Sequence, residues 1–138
     1  MSWVGSSATL LPVTTGDSGD DLRVQRLDAV WTRIRVRGPS MSPTLRDGDQ
    51  VLARAVRDPA RIRPGDVVIA RFPARPDLLV VKRVHHAVEG GHWVQGDNPF
   101  VTDDSRAFGV AVVVGRVVAR LWPRPGRLPP APVGPPVP

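Results

Sequence analysis

Residues 30–37, with the sequence VWTRIRVR, hold the pattern that decides the fold. Every second position carries an apolar or β-branched side chain, and the positions between carry a tryptophan or an arginine: Val30, Thr32, Ile34 and Val36 against Trp31, Arg33, Arg35 and Arg37. Successive side chains of a β-strand point to opposite faces, so this alternation predicts a half-buried strand.

Further stretches with strand composition follow at short intervals, at residues 50–56, 66–72, 78–88, 92–95 and 110–122. They are separated by the turn sequences RDGD, RPGD and EGGH, and Gly115 inside the last stretch is expected to mark a bulge. No long amphipathic helix and no internal repeat is evident. The pattern predicts an all-β protein built as a small, partly closed barrel.

The two ends of the chain differ in composition from the middle. Residues 1–28 are polar and rich in Gly, Ser and Asp, and residues 123–138 hold eight of the 16 prolines. We expect a flexible N-terminal tail at 1–28, one domain at 29–122 and a Pro-rich tail at 123–138.

Composition excludes several classes of function. The chain has no cysteine, so thiolate metal sites, disulfides and a cysteine nucleophile are ruled out. The longest apolar tract, residues 109–122, is interrupted by Arg116 and Arg120, so no membrane span is predicted. The N-terminus lacks the basic region of a signal peptide, and a cytoplasmic location is expected.

The chain is basic, with a net charge of +6 and a pI near 11.5, which would suit a polyanionic partner. The arginines are spread from Arg23 to Arg127, so we interpret the excess as compositional bias and predict no specific binding to nucleic acid. Among the 19 basic residues, Lys82 is the single lysine. A guanidinium stays protonated, so Lys82 is the one side-chain amine that could act as a base.

Ser40 lies in GPSMSPTL, residues 38–45, directly after the first core strand. The glycine and prolines impose an irregular backbone that could present a hydroxyl as a nucleophile. Serines beside prolines more often form turns through hydrogen bonds to the backbone. Taken alone, the segment is compatible with both interpretations.

A serine nucleophile needs a base, and Lys82 and the three histidines are the candidates. His85 and His86 are neighbours on a strand and are expected on opposite faces, and His92 lies near a hairpin turn, where a solvated imidazole is expected. Strand alternation places Lys82 between Val80 and Val84, where burial would lower the pKa of its amine. The alternative is a lysine that protects the edge of a sheet.

The segment GDNPFVTDDSR, residues 96–106, concentrates Asp, Asn, Ser and Thr. Such clusters commonly form turns, and an Asp with an Arg two residues later can be a local ion pair. The same side chains could also orient a base and brace the loop that carries it.

Five segments in this order, GPSMSPTLRDGD, RPGDVVI, VVKRV, GDNPFVTDDSRAFG and VVGRV, resemble the successive sequence boxes of the type I signal peptidases and their soluble relatives, the Ser/Lys proteases. The resemblance covers roughly residues 34–122. It implies the partly closed β-barrel of the signal peptidase and LexA-like proteases. Within this group the chain looks most like the maturation proteases of nickel-type superoxide dismutase.

The resemblance implies a role for each matching residue. Ser40 would be the nucleophile, Lys82 the general base and Thr102 the hydroxyl that orients the lysine. Gly38, Pro39 and Met41 would belong to the nucleophile and oxyanion loop, with Gly38 where many bacterial relatives have a second hydroxyl. The remaining positions would brace the site: Gly96, Asp97, Asn98, Asp104, Ser105 and Arg106.

The predicted function is a serine endopeptidase of the bacterial cytoplasm that needs no cofactor and no metal. Its expected partner is a protein substrate, the precursor of a nickel-type superoxide dismutase, from which it would remove an N-terminal propeptide. The alternatives are a self-cleaving LexA-like stress regulator, a signal peptidase acting on exported preproteins, and a catalytically silent basic β-module that binds nucleic acid.

Overall fold

The computed structural model describes residues 9–12 and 30–132, with side chains from residue 30 onward. The strands are β1 (Thr9–Pro12), β2 (Trp31–Arg37), β3 (Gln50–Ala55), β4 (Val67–Phe72), β5 (Arg75–Val88), β6 (Gly91–Gln95) and β7 (Val112–Trp122). A 3-10 turn at Pro59–Arg61 and the one-turn helix α1 (Ser105–Phe108) complete the described elements. The predicted all-β class is confirmed.

The strands form one antiparallel sheet in the order β1-β2-β3-β7-β4-β5-β6. A single residue pair, Thr9 with Val80, also joins β1 to β5. The sheet therefore curls back on itself without a continuous ladder closing it, as expected for a partly closed barrel.

Apolar side chains fill both faces of the curled sheet. In β5, Leu79 and Val81 belong to one buried cluster, and Val80 and Val84 belong to a second. Full burial of each such side chain contributes roughly 1.5–3 kcal/mol. Lys82, two residues from each of Val80 and Val84, therefore lies on the face of the second cluster.

The observed strands match the predicted ones to within a few residues at each end. The predicted bulge is also present: Ile69 pairs with Gly115 and Ala70 with Val113, which leaves Val114 as the extra residue beside the glycine. No helix in residues 9–12 or 30–132 is long and apolar enough to cross a membrane.

Both predicted tails contain ordered segments. Strand β1 lies inside residues 1–28 and pairs with β2 from Thr9–Arg37 to Pro12–Ile34. In the Pro-rich segment, Gly126 exchanges two backbone hydrogen bonds with Arg120, of 2.8 and 3.0 Å, and Leu128 packs against the core. Exposed strand backbone and an incompletely covered core provide partners for these segments. The rest of both predicted tails lies outside the described residues.

A buried ion pair ties three distant segments together. Arg83 on β5 donates from Nε and Nη2 to the two carboxylate oxygens of Asp97, at 2.9 and 2.8 Å, and from Nη1 to the carbonyl of Gly65 at 2.8 Å. Thr44, in the loop after β2, donates its hydroxyl to the same carboxylate. The Arg83 and Asp97 side chains are 8% and 4% exposed. One carboxylate therefore fixes β5, the segment after β6 and the loop after β2.

We predict that Asp97→Asn destabilises the fold by about 3 kcal/mol, because it leaves a buried guanidinium without its counter-charge. The matched control is Asp77→Asn at an exposed position of β5, which should change stability by less than about 0.5 kcal/mol. Urea unfolding of both variants measures the difference. Equal midpoints for the two variants would show that the ion pair does not support the fold.

Candidate active site

The loop that carries Ser40 is anchored from beneath by apolar side chains. Met41 and Leu45 are fully buried in the first core cluster, and Leu45 donates its backbone N–H to the Met41 carbonyl at 3.0 Å. Gly38 adopts a φ of 86°, a conformation that favours glycine, and donates its N–H to Asp47 Oδ1 at 2.8 Å. Ser40 itself is fully buried. The GPSM segment is therefore held in a defined position, and the N–H of Gly38 is already engaged.

The GDN segment packs directly on this loop. Asn98 donates its backbone N–H to the Ser40 carbonyl at 2.9 Å and its side-chain amide to the Pro39 carbonyl at 3.0 Å. A Cβ built on Gly96 would lie 2.5 Å from the Ser40 carbonyl oxygen, closer than real side chains approach. A residue without a side chain is therefore needed at position 96. The structure brings Gly96, Asn98 and the Ser40 loop together.

Lys82 is fully buried on β5, which lies between β4 and β6, so the edge-strand interpretation is wrong. Arg83 pairs with Gln95, and continuing this antiparallel register sets Lys82 opposite Gly96. Paired residues direct their side chains to the same face, and on that face Ser40 occupies the space beside Gly96. The register therefore directs Lys82 towards the side of the sheet where Ser40 lies.

The Lys82 amine has no hydrogen-bond partner within the described part of the chain. Neither the Ser40 nor the Thr102 hydroxyl is therefore bonded to Lys82 Nζ in this state. Catalytic hydrogen bonds are often long without substrate and tighten when substrate binds.

Burial lowers the pKa of Lys82 to about 8 from its usual value of 10.5. The carboxylates of Asp104 and Asp103 oppose this change, and the Arg106 guanidinium adds to it. A lysine with this pKa is about one-tenth neutral at pH 7, which is enough to serve as a base near neutrality.

Asp104 organises the acidic part of the GDNPFVTDDSR segment. It caps α1 by accepting the Arg106 N–H, accepts the Gly96 N–H at 2.9 Å, and receives two further hydrogen bonds from the Arg106 side chain. Burial alone would raise the pKa of Asp104, but the bonds from Arg106 and Gly96 outweigh it and lower that pKa. The side-chain hydrogen bonds to Asp104 raise the pKa of Arg106.

Ser105 extends the same support to β6. Its hydroxyl accepts the backbone N–H of Val94 at 2.8 Å, in a fully buried position. Five of the residues expected to brace the site thus make contacts outside the 101–106 segment or link it to the rest of the site: Gly96, Asp97, Asn98, Asp104 and Ser105. Arg106 acts within its own segment, through Asp104 and the Val101 carbonyl.

The prediction that Thr102 orients Lys82 is not supported by the structure. Thr102 is exposed, and its carbonyl accepts the N–H of Asp104 at 2.9 Å. This tight turn sends Asp103 and Asp104 into the interior and leaves the threonine outside. The segment therefore presents carboxylates to the lysine, where a hydroxyl was expected.

The histidines also differ from expectation. A register shift between Val84 and His86 leaves both His85 and His86 exposed, with their Nδ1 atoms 2.7 Å apart, so they do not point to opposite faces. His92 is buried, and burial lowers its pKa. No group of three metal-ligating side chains occurs among residues 30–132.

Sequence reasoning missed two residues that shape the site, Arg83 and Thr44. Both belong to the quoted segments, VVKRV and GPSMSPTL, but neither was assigned a contact. Their shared partner is Asp97, 14 positions from Arg83 and 53 from Thr44. No local pattern in the sequence links residues over such distances.

Comparison with known proteins places this site in a family. Residues 26–87 match the family of signal peptidases, peptidase S26. A mitochondrial ATP-independent inner membrane protease subunit 1a of Arabidopsis thaliana is 36% identical over 121 residues, covering 68% of this chain and 72% of the relative. A mitochondrial inner membrane protease subunit 1 of Xenopus tropicalis is 34% identical over 110 residues, covering 62% and 66%.

A mitochondrial inner membrane protease subunit 2 of Saccharomyces cerevisiae is 27% identical over 118 residues, covering 64% of this chain and 67% of the relative. These relatives correct one prediction. They are mitochondrial inner membrane proteases, which contradicts the expected bacterial cytoplasmic location. The family match and the identity to the Arabidopsis protease show that this chain belongs to the signal peptidase (peptidase S26) family and is a serine peptidase.

Proposed function

We propose that this chain is an endopeptidase that uses Ser40 as nucleophile and Lys82 as general base to remove an N-terminal segment from protein precursors. The observation that carries the proposal is the fully buried Lys82 amine, without a hydrogen-bond partner in the described chain and directed to the face where Ser40 lies. A buried amine of this kind destabilises a fold, so its presence here is explained by a functional role.

The proposed chemistry begins with the neutral Lys82 amine taking the proton from Ser40 Oγ as that oxygen attacks the scissile carbonyl. The tetrahedral intermediate collapses, the C–N bond breaks, and the lysine ammonium returns the proton to the leaving amine. The product is an acyl-enzyme on Ser40. Water then loses a proton to Lys82 as it attacks the ester. The bond from the acyl carbon to Ser40 Oγ breaks, Lys82 returns the proton to that oxygen, and the acid is released with both residues restored.

The pairing of Asp104 with Arg106 supports this role of Lys82. A lone carboxylate beside the lysine would hold its proton firmly and raise the pKa of the amine. Arg106 occupies both carboxylate oxygens of Asp104, at 2.9 and 2.6 Å, and its positive charge also repels the ammonium. The acidic segment can therefore brace the site while the pKa of Lys82 stays near 8.

The relatives guide the choice of substrate. Their names describe inner membrane proteases, so we propose precursors that are presented at a membrane surface as the substrate class. Removal of a propeptide from a nickel-type superoxide dismutase precursor is a narrower hypothesis that these relatives do not support. It enters the experiment below as one substrate among several.

Cleavage should depend on both members of the proposed dyad. The purified chain, Ser40→Ala and Lys82→Met are each incubated with membrane-protein precursors and with the superoxide dismutase precursor, and new N-termini are identified by mass spectrometry. We expect both variants to lose at least about three orders of magnitude in kcat/KM. Cleavage by Ser40→Ala at the wild-type rate would refute the proposed nucleophile.

The cleavage rate should rise with pH. Only the neutral amine accepts the Ser40 proton, and its fraction grows as the pH passes the Lys82 pKa of about 8. We therefore expect kcat/KM to increase about tenfold per pH unit below this value and to level off above it. A profile that is flat from pH 6 to 9 would show that Lys82 is not the base.

Lys82→Met should stabilise the protein at pH 7 by up to about 3 kcal/mol, because it replaces a buried charged side chain by an apolar one of similar size and shape. The unfolded chain binds more protons than the folded one between pH 8 and 10.5, so wild-type stability rises with pH in that range and the difference shrinks. Urea unfolding of wild type and Lys82→Met at pH 7 and pH 10 measures this difference in stability. Ser40→Ala retains the lysine and is the control, expected to follow wild type at both pH values.

A further inference from the structure

A concave groove lies at the end of β2 away from Ser40. It is a groove of about 840 Å³ whose lining includes five arginines, Arg54, Arg57, Arg61, Arg63 and Arg116. These arginines come from β3, β7 and the segment around the 3-10 turn. The sequence presents them as scattered residues, and the fold gathers them into one place.

The positive charge of this groove is not balanced within the described protein. Among the described lining residues, Asp58 is the one that is acidic, and its carboxylate caps the 3-10 turn by accepting the Ala60 N–H at 3.0 Å. No ion pair between the five arginines and the carboxylates of residues 30–132 is present.

Two of the arginines face each other directly. Arg54 on β3 and Arg116 on β7 are cross-strand partners, and both are exposed. Like charges in this arrangement destabilise a sheet. The guanidinium of Arg54 also lies 5.4 Å from the ring centroid of Trp31, which restrains it at the groove. A repulsive pair that is held in place indicates an anionic ligand.

The floor of the groove is apolar, with Val30, Val56 and Ile62 in its lining. No described lining residue is aromatic, and the Trp31 ring beside the groove lies against the Arg54 guanidinium, so the groove offers little stacking surface for single-stranded nucleic acid. Its concave shape does not match a flat bilayer. Arginines around an apolar floor fit an extended peptide in which carboxylates alternate with apolar side chains.

We propose that this groove is an exosite that binds an acidic segment of the protein substrate. The proposal rests on the proposed function, because it places the acidic segment on the same molecule as the scissile bond. Strand β2 has seven residues and spans about 23 Å, so the acidic segment should lie roughly seven extended residues from the bond that Ser40 attacks.

Binding is tested apart from cleavage in the Ser40→Ala protein. The probe is a fluorescent twelve-residue peptide of alternating Glu and Leu, and its Gln and Leu counterpart is the neutral control. We expect saturable fluorescence polarisation with the acidic peptide that weakens as salt rises. The double variant Arg54→Gln with Arg116→Gln should bind the acidic peptide about tenfold more weakly. The matched control, Arg35→Gln with Arg127→Gln, changes two exposed arginines outside the groove and should leave this affinity unchanged.

Cleavage supplies the second measurement. A substrate that the protein cleaves is prepared with and without the acidic segment. We expect the extension to lower KM for the wild type while kcat stays unchanged, and to leave KM unchanged in the Arg54 and Arg116 double variant. Equal binding of acidic and neutral peptides would overturn the exosite. The exosite would also be overturned if an RNA oligonucleotide or phosphatidylglycerol vesicles bound more tightly than the peptide and this binding was lost in the double variant. Acidic-peptide binding without any cleavage would instead refute the proposed function and leave the anion site standing.

Discussion

The bidentate pairing of Arg83 with Asp97 is the contact on which the arrangement of the site depends. Asp97 also accepts the Thr44 hydroxyl, and its neighbours Gly96 and Asn98 lie against Ser40 and Pro39. Arg83 directly follows Lys82. Fixing this one carboxylate therefore fixes the strand that carries the lysine relative to the loop that carries the serine. Such a buried pair need not add net stability to a fold, but it selects one arrangement of the segments that it joins.

Most of the fold follows from local sequence. Alternation of apolar residues predicted six of the seven strands, and turn residues marked their ends. Strand β1 was missed because residues 9–12 form a short isolated run, and they become a strand only by pairing with the β2 backbone. The ordered part of the Pro-rich segment was missed for the same reason, since its hydrogen-bond partners lie elsewhere in the fold. Propensity describes a segment and not its neighbours in space.

The site was predicted to a different extent for each residue type. Strand alternation predicted that Lys82 is buried between Val80 and Val84, because that inference needs only the sequence of its own strand. The roles of Arg83 and Thr44 depend on contacts across the chain and could not be read locally. Thr102 matched a motif position but lies outside, because a turn at its carbonyl rotates the following aspartates inward. Motif position therefore identifies the segment, and backbone geometry decides which side chain enters.

The close approach of Gly96 to Ser40 also has a dynamic consequence. Two loops that are 56 positions apart are in contact there, and Asn98 adds hydrogen bonds to the carbonyls of Ser40 and Pro39. Neither loop can open by local fluctuation while the other remains in place, because the hydrogen bonds and the packing are shared. The two segments thus form a single cooperative unit whose amide protons should exchange with solvent together, at a rate set by the stability of their common contact.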